Sequence, residues 1–160
     1  MELDKDDFRR VIAATPLVSI DLVVRNAQGE VLLGLRRNRP AQGCWFVPGG
    51  RIRKDERLRE ALARIARVEL GVEVIAGRLL GVYEHLYEDN ALGIAGLGTH
   101  YVVIGYQCEL AEAQLPRADA QHAELRWWPL PDLLASPAVH LNTKRYFQDD
   151  EPNGFRCPEA

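Results

Sequence analysis

The sequence predicts an α+β fold in which a mixed β-sheet is flanked by helices. An amphipathic helix is predicted over residues 55–70, and segments rich in Val, Ile and Leu both precede and follow it. Strands on both sides of a central helix favour a sheet with helices packed on its faces. A chain of 160 residues can bury a core without disulfide bonds, and it fits one domain, residues 1–160, better than two.

The other predicted elements are short. Helices are predicted at Lys5–Ala14, residues 130–134 and residues 143–148. Strands are predicted at residues 17–25, 31–35, 72–74, 79–86, 99–109 and 125–128, and a short apolar run covers residues 44–47. Residues 26–29 have the composition of a turn, so the first two strands are predicted to form a hairpin.

Two segments are predicted to lack regular structure. Residues 89–98 carry glycines at three positions and are expected to form a flexible loop beside an active site. The tail after Asp149 is expected to be poorly ordered.

Composition excludes several function classes. The net charge is −3, so no basic surface is implied and nucleic acid is not a favoured partner. The N-terminus lacks the pattern of a signal peptide, and no apolar stretch reaches the length of a membrane span, so no membrane partner is expected. The three cysteines are widely spaced, which suits a reducing cytoplasm. The spacings of Cys108, His85, His100 and His122 match no zinc pattern.

A carboxylate lies in the apolar stripe of the predicted central helix. At 100° per residue, Glu69 shares one face with Leu58, Leu62 and Ile65, whereas Glu56 and Glu60 point to the opposite side. A buried carboxylate normally neutralises, pairs or binds a metal. The alternative is that Glu69, in the last turn of the helix, reaches solvent.

The segment around this helix resembles the Nudix box. In that motif a Gly is followed by five residues, Glu, seven residues, and then Arg-Glu-aliphatic-any-Glu-Glu-any-Gly-aliphatic. Ile65 and Val68 stand where the family has Glu, while the matching positions are Gly50, Glu56, Arg64, Ala66, Glu69, Gly71 and Val72. The preceding Trp-Phe-Val-Pro-Gly-Gly, residues 45–50, is also similar to the family. The resemblance implies the Nudix fold, an α/β/α sandwich.

The reduced box resembles that of one branch, the GDP-mannose mannosyl hydrolases. The similarity extends over nearly the whole chain and includes residues 15–19, 38–43, 89–90, 99–103 and 121–122. It implies hydrolysis of GDP-mannose, and of GDP-glucose, to GDP and free sugar by attack of water at the anomeric carbon with inversion. It also implies a cytoplasmic homodimer with one Mg²⁺ per subunit, for which Mn²⁺ can substitute.

The resemblance also implies a role for each matching residue. The metal ligands would be the Gly49 carbonyl, Glu69 and Gln121, and His122 would be the general base. Charge on the departing GDP would be stabilised by Arg36 and Arg51. The remaining contacts to substrate would come from Asp21 to the sugar, Tyr101 to the diphosphate, and His85.

Simple physical chemistry explains why side chains of these types suit the implied reaction. Inverting transfer of a sugar to water requires a base on the face opposite the leaving group, and imidazole titrates near neutrality. Arginine forks match phosphate oxygens. Asp21 is conspicuous in an otherwise apolar strand, where its alternative role is an ion pair with an arginine.

Two other functions remain open from the sequence. An ordinary Nudix pyrophosphatase would split the P–O–P bond of a nucleoside diphosphate derivative and would recruit another carboxylate such as Glu56. A catalytically inactive Nudix sensor would bind a nucleotide sugar without turnover.

Overall fold

The computed structural model describes residues 3–111, 116–117, 122–148 and 154–157. The helices are α1 (Lys5–Ala14), α2 (Leu58–Leu70), α3 (Leu130–Ala135) and α4 (Leu141–Lys144). The strands are β1 (Leu17–Val24), β2 (Val31–Arg36), β3 (Trp45–Phe46), β4 (Gly49–Arg51), β5 (Val74–Tyr87), β6 (Thr99–Leu110), β7 (His122–Trp128) and β8 (Gly154–Arg156).

The described strands form two sheets. The larger has the order β4-β1-β6-β5-β8, and the smaller has the order β3-β2-β7. In the larger sheet β1 and β6 run parallel, while the other neighbours are antiparallel, so the predicted mixed sheet is confirmed. The short β4 is an edge strand, and this position matters for the candidate site.

Alternation along β1 divides the interior into two layers. Ile20, Leu22 and Val24 face α2 and form a core with its apolar side. Val23 faces the opposite way, into a second core that contains Leu133 of α3. Because successive side chains of a strand point to opposite faces, Asp21 lies on the face away from α2. The predicted helices on both faces of the sheet are therefore present.

The predicted hairpin of the first two strands is wrong. The turn itself forms, since the Asn26 side chain accepts hydrogen bonds from the backbone N–H groups of Gln28 and Glu30. After one bridge between Arg25 and Val31 the strands diverge into different sheets. Strand β1 pairs with β6 instead, and this long-range partner could not be read from the local turn.

Helix α2 begins three residues later than predicted. Asp55 adopts a left-handed conformation with φ of 63°, which is incompatible with a helix. Leu58 at the first helical position is 44% exposed, so its predicted place in the buried stripe is wrong. The other end is confirmed, because Gly71 ends the helix in the left-handed region with φ of 67°.

Other boundaries also differ from the prediction, and β7 begins at His122 rather than at residue 125. A single strand, β5, replaces the two predicted at residues 72–74 and 79–86, because pairing to β6 continues past irregularities near Leu79. The final short helix covers Leu141–Lys144 rather than residues 143–148. In the tail, Gly154–Arg156 pairs with β5, so the expected poor order is wrong for these residues.

The loop at residues 89–98 is organised around one side chain. Asn90 is buried, donates to the carbonyls of Ile94 and Leu97, and accepts from the backbone N–H groups of Leu92 and Ile94. The predicted flexibility of this loop stays a prediction. Among the described residues, no helix is both long and apolar enough to cross a bilayer.

Candidate active site

A pocket of about 280 Å³ lies on the face of β1 that points away from α2. Five of the side chains expected to act on substrate line it, together with the backbone of one expected metal ligand. These six residues are Asp21, Arg36, Gly49, Arg51, His85 and Tyr101. They come from β1, β2, β4, β5 and β6, so residues that are far apart in sequence lie together in the pocket.

Asp21 lies deep in this pocket and is 6% exposed. Its Oδ2 accepts a hydrogen bond of 2.6 Å from the hydroxyl of Tyr146. Burial raises the pKa of Asp21 to about 7, although the Tyr146 hydrogen bond and the positive charge of Arg36 oppose that rise. An arginine acts on Asp21, as the alternative reading of the sequence expected, but its direct partner is a tyrosine.

Aromatic side chains form one wall of the pocket. Phe46, His85, Tyr87 and Tyr101 all line it, and the rings of Tyr87 and Tyr101 meet edge to face at 6.3 Å. Burial, followed by the positive charges of His140 and Arg145, lowers the pKa of His85 to about 3. His85 is therefore neutral at physiological pH and can exchange hydrogen bonds but carries no charge. Burial also raises the pKa of Tyr101, which keeps its hydroxyl protonated as a donor.

Positive charge reaches the pocket from the ends of two strands, β2 and β4. Arg36 is anchored by a hydrogen bond of 2.9 Å from its Nε to the Pro40 carbonyl. The Arg51 guanidinium lies over the ring of Phe8, 4.6 Å from its centroid. Arg36 and Arg39 both line the pocket, whereas the neighbouring Arg37 is exposed and is not among the described lining residues.

The two glycines of β4 separate this pocket from the helix side of the sheet. A Cβ at Gly49 would overlap the Asp21 carboxylate and the Ile20 carbonyl oxygen, while a Cβ at Gly50 would press on Ile65 of α2 at 3.2 Å. Because the two glycines carry no side chain, the backbone at Gly49 can lie close to Asp21 and the backbone at Gly50 can lie close to Ile65. Gly50 and Arg51 also line a larger groove on the α2 side, which Glu69 borders. The edge strand is where the two halves of the candidate site meet.

Glu69 and His122 form a buried pair on the α2 side. Glu69 is 3% exposed and His122 is 1% exposed, and His122 Nδ1 lies 3.5 Å from Glu69 Oε2. The imidazole packs over Gly34, where a Cβ would overlap it. The prediction of a buried carboxylate is confirmed, and the alternative that Glu69 reaches solvent is wrong. Among the described residues that line the Asp21 pocket, neither Glu69 nor His122 is present.

Two oxygen donors of the candidate site are of the kinds that bind hard cations. Glu69 supplies a buried carboxylate and Gly49 a backbone carbonyl, which are ligands that Mg²⁺ accepts. The described residues contain no group of three His, Cys, Asp or Glu side chains able to hold a metal. Gln121, the third expected ligand, lies outside the described residues.

The two positions at which the family carries Glu have become apolar. Ile65 is 1% exposed within the core, and Val68 is 53% exposed. Glu56, the remaining box carboxylate, forms two hydrogen bonds of 2.7 and 2.8 Å with Arg64. These charge-assisted bonds lower the pKa of Glu56 to about 2. Glu56 is therefore engaged as an ion-pair partner of α2.

Sequence reasoning missed three residues of the site. Tyr87 and Phe8 line the pocket, and Tyr146 binds Asp21 from behind it. Phe8 lies on α1, and this helix therefore contributes to the pocket wall. Tyr146 lies 125 residues from Asp21, so no local signal in the sequence could connect them.

Comparison with known proteins identifies the fold and its relatives. The family model described as the NUDIX domain matches residues 15–149. The low-salt glycan biosynthesis protein Agl8 of Haloferax volcanii is 42% identical over 142 residues, which are 88% of this chain and 86% of that protein. The 8-oxo-dGDP phosphatase of Danio rerio is 28% identical over 151 residues, which are 86% of this chain but 43% of that protein.

Solved structures agree with the predicted Nudix fold. The MutT protein of Methanosarcina mazei superposes with a TM-score of 0.69 at 23% identity, covering 84% of this chain and 92% of that one. The NUDIX domain of Shewanella oneidensis NrtR, solved with ADP ribose, superposes with a TM-score of 0.61 at 26% identity, covering 82% and 86%.

Proposed function

The chain belongs to the Nudix hydrolase family, and from that premise we propose that it hydrolyses a nucleotide sugar, GDP-mannose, to GDP and mannose. Water attacks the anomeric carbon, the bond from that carbon to the bridging diphosphate oxygen breaks, and the sugar is released with inversion. GDP-glucose is the second substrate of the proposal.

The observation that carries this proposal is the reduced box, in which Glu69 is a buried carboxylate on α2 and two positions where the family has Glu are apolar. Attack at phosphorus by Nudix pyrophosphatases often uses several carboxylates and more than one metal, whereas here Ile65 and Val68 occupy two of those positions. Glu56 is bound by Arg64. Glu69 alone is suited to hold one cation at the diphosphate, which favours departure of an intact GDP.

The shape and chemistry of the pocket support a sugar as the reacting group. Asp21 and His85 offer hydrogen bonds within an aromatic wall, and such a mixture suits a ligand with hydroxyl groups and apolar ring faces. Arg36 and Arg51 line the same pocket and can bind diphosphate oxygens in bidentate fashion. The sugar therefore occupies the Asp21 end, and the diphosphate lies at the arginines.

Attack of water at the anomeric carbon requires a different role from each of these side chains. Hydrolases of the family use a divalent cation, which here is proposed to be one Mg²⁺ that neutralises the leaving diphosphate. The arginines strengthen their hydrogen bonds as charge builds on the bridging oxygen. His122 accepts the proton of the attacking water. Because His122 is buried beside Glu69 and is not among the lining residues of the Asp21 pocket, that role requires the attacking water to come within hydrogen-bond distance of the imidazole.

One relative supports an involvement with sugars. The Haloferax volcanii protein that is 42% identical is named for low-salt glycan biosynthesis. Glycan synthesis consumes activated sugars, so a relative in that process agrees with a nucleotide-sugar substrate for this chain.

An ordinary pyrophosphatase is the second candidate. Other relatives are named 8-oxo-dGDP phosphatase and ADP-ribose pyrophosphatase, the latter being 35% identical over only 42% of this chain. That activity would recruit Glu56, but Glu56 would first have to leave Arg64.

Product analysis separates the two. Purified protein, GDP-mannose and Mg²⁺ are incubated in water enriched in heavy oxygen. The proposal expects GDP and mannose, with the heavy oxygen on the anomeric carbon and the inverted anomer formed first. Release of GMP and mannose 1-phosphate, with the label on phosphorus, would establish the pyrophosphatase. Tight binding of GDP-mannose by calorimetry without any turnover would instead indicate a sensor.

The proposal extends to partners and cellular location. We expect a homodimer that acts in the cytoplasm and binds neither nucleic acid nor membranes. Cys44, Cys108 and Cys157 are all unpaired thiols in the structure, which suits a reducing compartment. Sedimentation of the purified protein tests the dimer.

A further inference from the structure

Helix α4 and the residues after it form a support behind the pocket. Thr143 Oγ1 accepts a hydrogen bond from the backbone N–H of Val47, and Asn142 donates its side-chain amide to the hydroxyl of Tyr87 at 3.3 Å. Both Val47 and Tyr87 line the pocket. This one segment thus contacts the pocket wall at separate strands, and a third contact reaches Asp21.

The third contact comes from Tyr146, which is 6% exposed. Its hydroxyl donates to Asp21 Oδ2 at 2.6 Å, the short distance typical of a bond to a carboxylate. Asp21 Oδ1 packs instead against Gly49 at the edge strand. With one carboxylate oxygen bound from behind and the other at the pocket edge, the side chain has a defined orientation.

The Tyr146 ring is itself held in place. It meets the ring of Tyr83 edge to face, with centroids 4.7 Å apart, and packs against the small surface of Gly105 on β6. Three further groups interact electrostatically with Asp21, namely Arg36 from β2, Tyr87 from β5 and Tyr101 from β6. All three line the pocket, so among these groups Tyr146 is the one that holds Asp21 from the protein interior.

We infer that Tyr146 is a positioning residue for the sugar end of the pocket: it holds the Asp21 carboxyl in the orientation that meets a sugar hydroxyl. The inference rests on the proposed nucleotide-sugar substrate. It assigns to a residue far from the Nudix box a role in choosing the sugar rather than in binding the nucleotide.

A double-mutant cycle tests this role. The cycle compares wild type, Tyr146→Phe, Asp21→Asn and the double variant, using kcat/KM for GDP-mannose and the inhibition constant of GDP. We expect Tyr146→Phe to lower kcat/KM about tenfold, as for loss of one hydrogen bond to a charged group. Affinity for GDP should stay within about twofold, because GDP lacks the sugar. In the Asp21→Asn background the same substitution should change kcat/KM by less than about twofold.

Tyr83→Phe is the matched control. Tyr83 belongs to the same aromatic pair, is equally buried at 5% exposure, and its hydroxyl interacts with Arg156 rather than Asp21. It should retain wild-type kcat/KM, and thermal unfolding of all variants should confirm that they fold. The crystal structure of Tyr146→Phe should show a changed Asp21 rotamer.

Two outcomes would overturn the inference. A tenfold loss from Tyr146→Phe in both backgrounds would make the effects additive and the role merely structural. Equal weakening of GDP and GDP-mannose would remove the link to the sugar. Failure of the proposed function appears separately, in the wild-type protein, as release of GMP. It would remove the reason to expect a sugar at Asp21.

Discussion

The two faces of the sheet around β4 are built from the sequence in different ways. On the α2 side, Glu69, Gly50 and Ile65 come from one continuous motif, and β7 adds His122 beside Glu69. On the opposite face, the pocket gathers Asp21, His85 and Tyr101 from strands that are distant in the chain. Under the proposed function, the α2 side would hold the cation and the Asp21 pocket would contact the sugar. We therefore expect specificity for the sugar to depend mainly on residues outside the motif.

Glycine marks the boundary between the two faces. Gly49 faces the Asp21 side and Gly50 faces Ile65 on the α2 side. One pair of adjacent residues lets the edge strand contact both layers closely, and Arg51 borders both pockets. A diphosphate that crosses this edge would connect the sugar on one face to the cation on the other.

The largest effect is expected from Glu69→Gln, which tests the motif side. Replacing the proposed anionic metal ligand with a neutral amide should lower kcat about a thousandfold, since several kcal/mol of charge stabilisation are lost. Steady-state rates across a Mg²⁺ titration measure the change. Glu73→Gln, at an exposed position just after α2, should leave the rates unchanged. A Glu69→Gln enzyme with wild-type turnover would remove the cation from the mechanism.

His122→Gln should have the next largest effect. Loss of a general base is expected to lower kcat about a hundredfold at saturating Mg²⁺, with KM nearly unchanged. Because His122 also contacts Glu69, it could act by orienting the carboxylate. In that case the Mg²⁺ concentration at half-maximal rate would rise while kcat at saturation recovered. A metal titration of this variant therefore decides between a base and a support for Glu69.

A smaller effect is expected from Phe8→Leu at the junction of the two faces. The Arg51 guanidinium lies 4.6 Å from the Phe8 ring centroid, and loss of such an exposed cation–π contact should lower kcat/KM about threefold. Phe8→Tyr keeps an aromatic face and should retain the wild-type value. If Leu and Tyr behave alike in kinetic assays, the ring does not orient Arg51.

Glu56→Gln should affect stability and leave turnover almost unchanged. The pKa of Glu56 is lowered from 4.5 to about 2 by Arg64, so its carboxylate stabilises the fold above pH 4.5, and this contribution is lost as the pH falls toward 2. At pH 7 the variant should unfold about 1 kcal/mol more readily in urea. The difference from wild type should shrink below pH 4.5. A large loss of activity would instead support the recruited carboxylate of a pyrophosphatase.

Local sequence patterns predicted the α2 side of the candidate site well. The period of the apolar residues indicated that Glu69 is buried, and Gly71 gave the end of α2, because both features depend on contacts within a few residues. The N-terminal end was less accurate. The left-handed Asp55 and the hydrogen bond from the Arg57 N–H to the Glu60 side chain depend on how the preceding loop leaves the sheet.

The resemblance to the family indicated most of the residues that were expected in the Asp21 pocket, but it did not indicate Tyr146, which holds Asp21. It selected Asp21, Arg36, His85 and Tyr101, which the structure brings to one pocket. Tyr146 could not be found in this way, because its partner is 125 residues away and the residues next to Tyr146 in the chain carry no signal that links it to Asp21. The prediction of a hairpin was wrong for the same reason, because β1 pairs with β6 and not with β2, its neighbour in sequence.

By itself the sequence determined the fold class, the place of a carboxylate in the apolar stripe of α2 and the loss of two further acidic positions from the motif. These follow from periodicity and spacing along a single segment, where neighbours in the chain are neighbours in space. Only the tertiary structure decided that Asp21 faces away from Glu69 across an edge strand and is bound by Tyr146. Those contacts depend on which strands pair and how they alternate, and sheet pairing is chosen by the whole core rather than by any local stretch of residues.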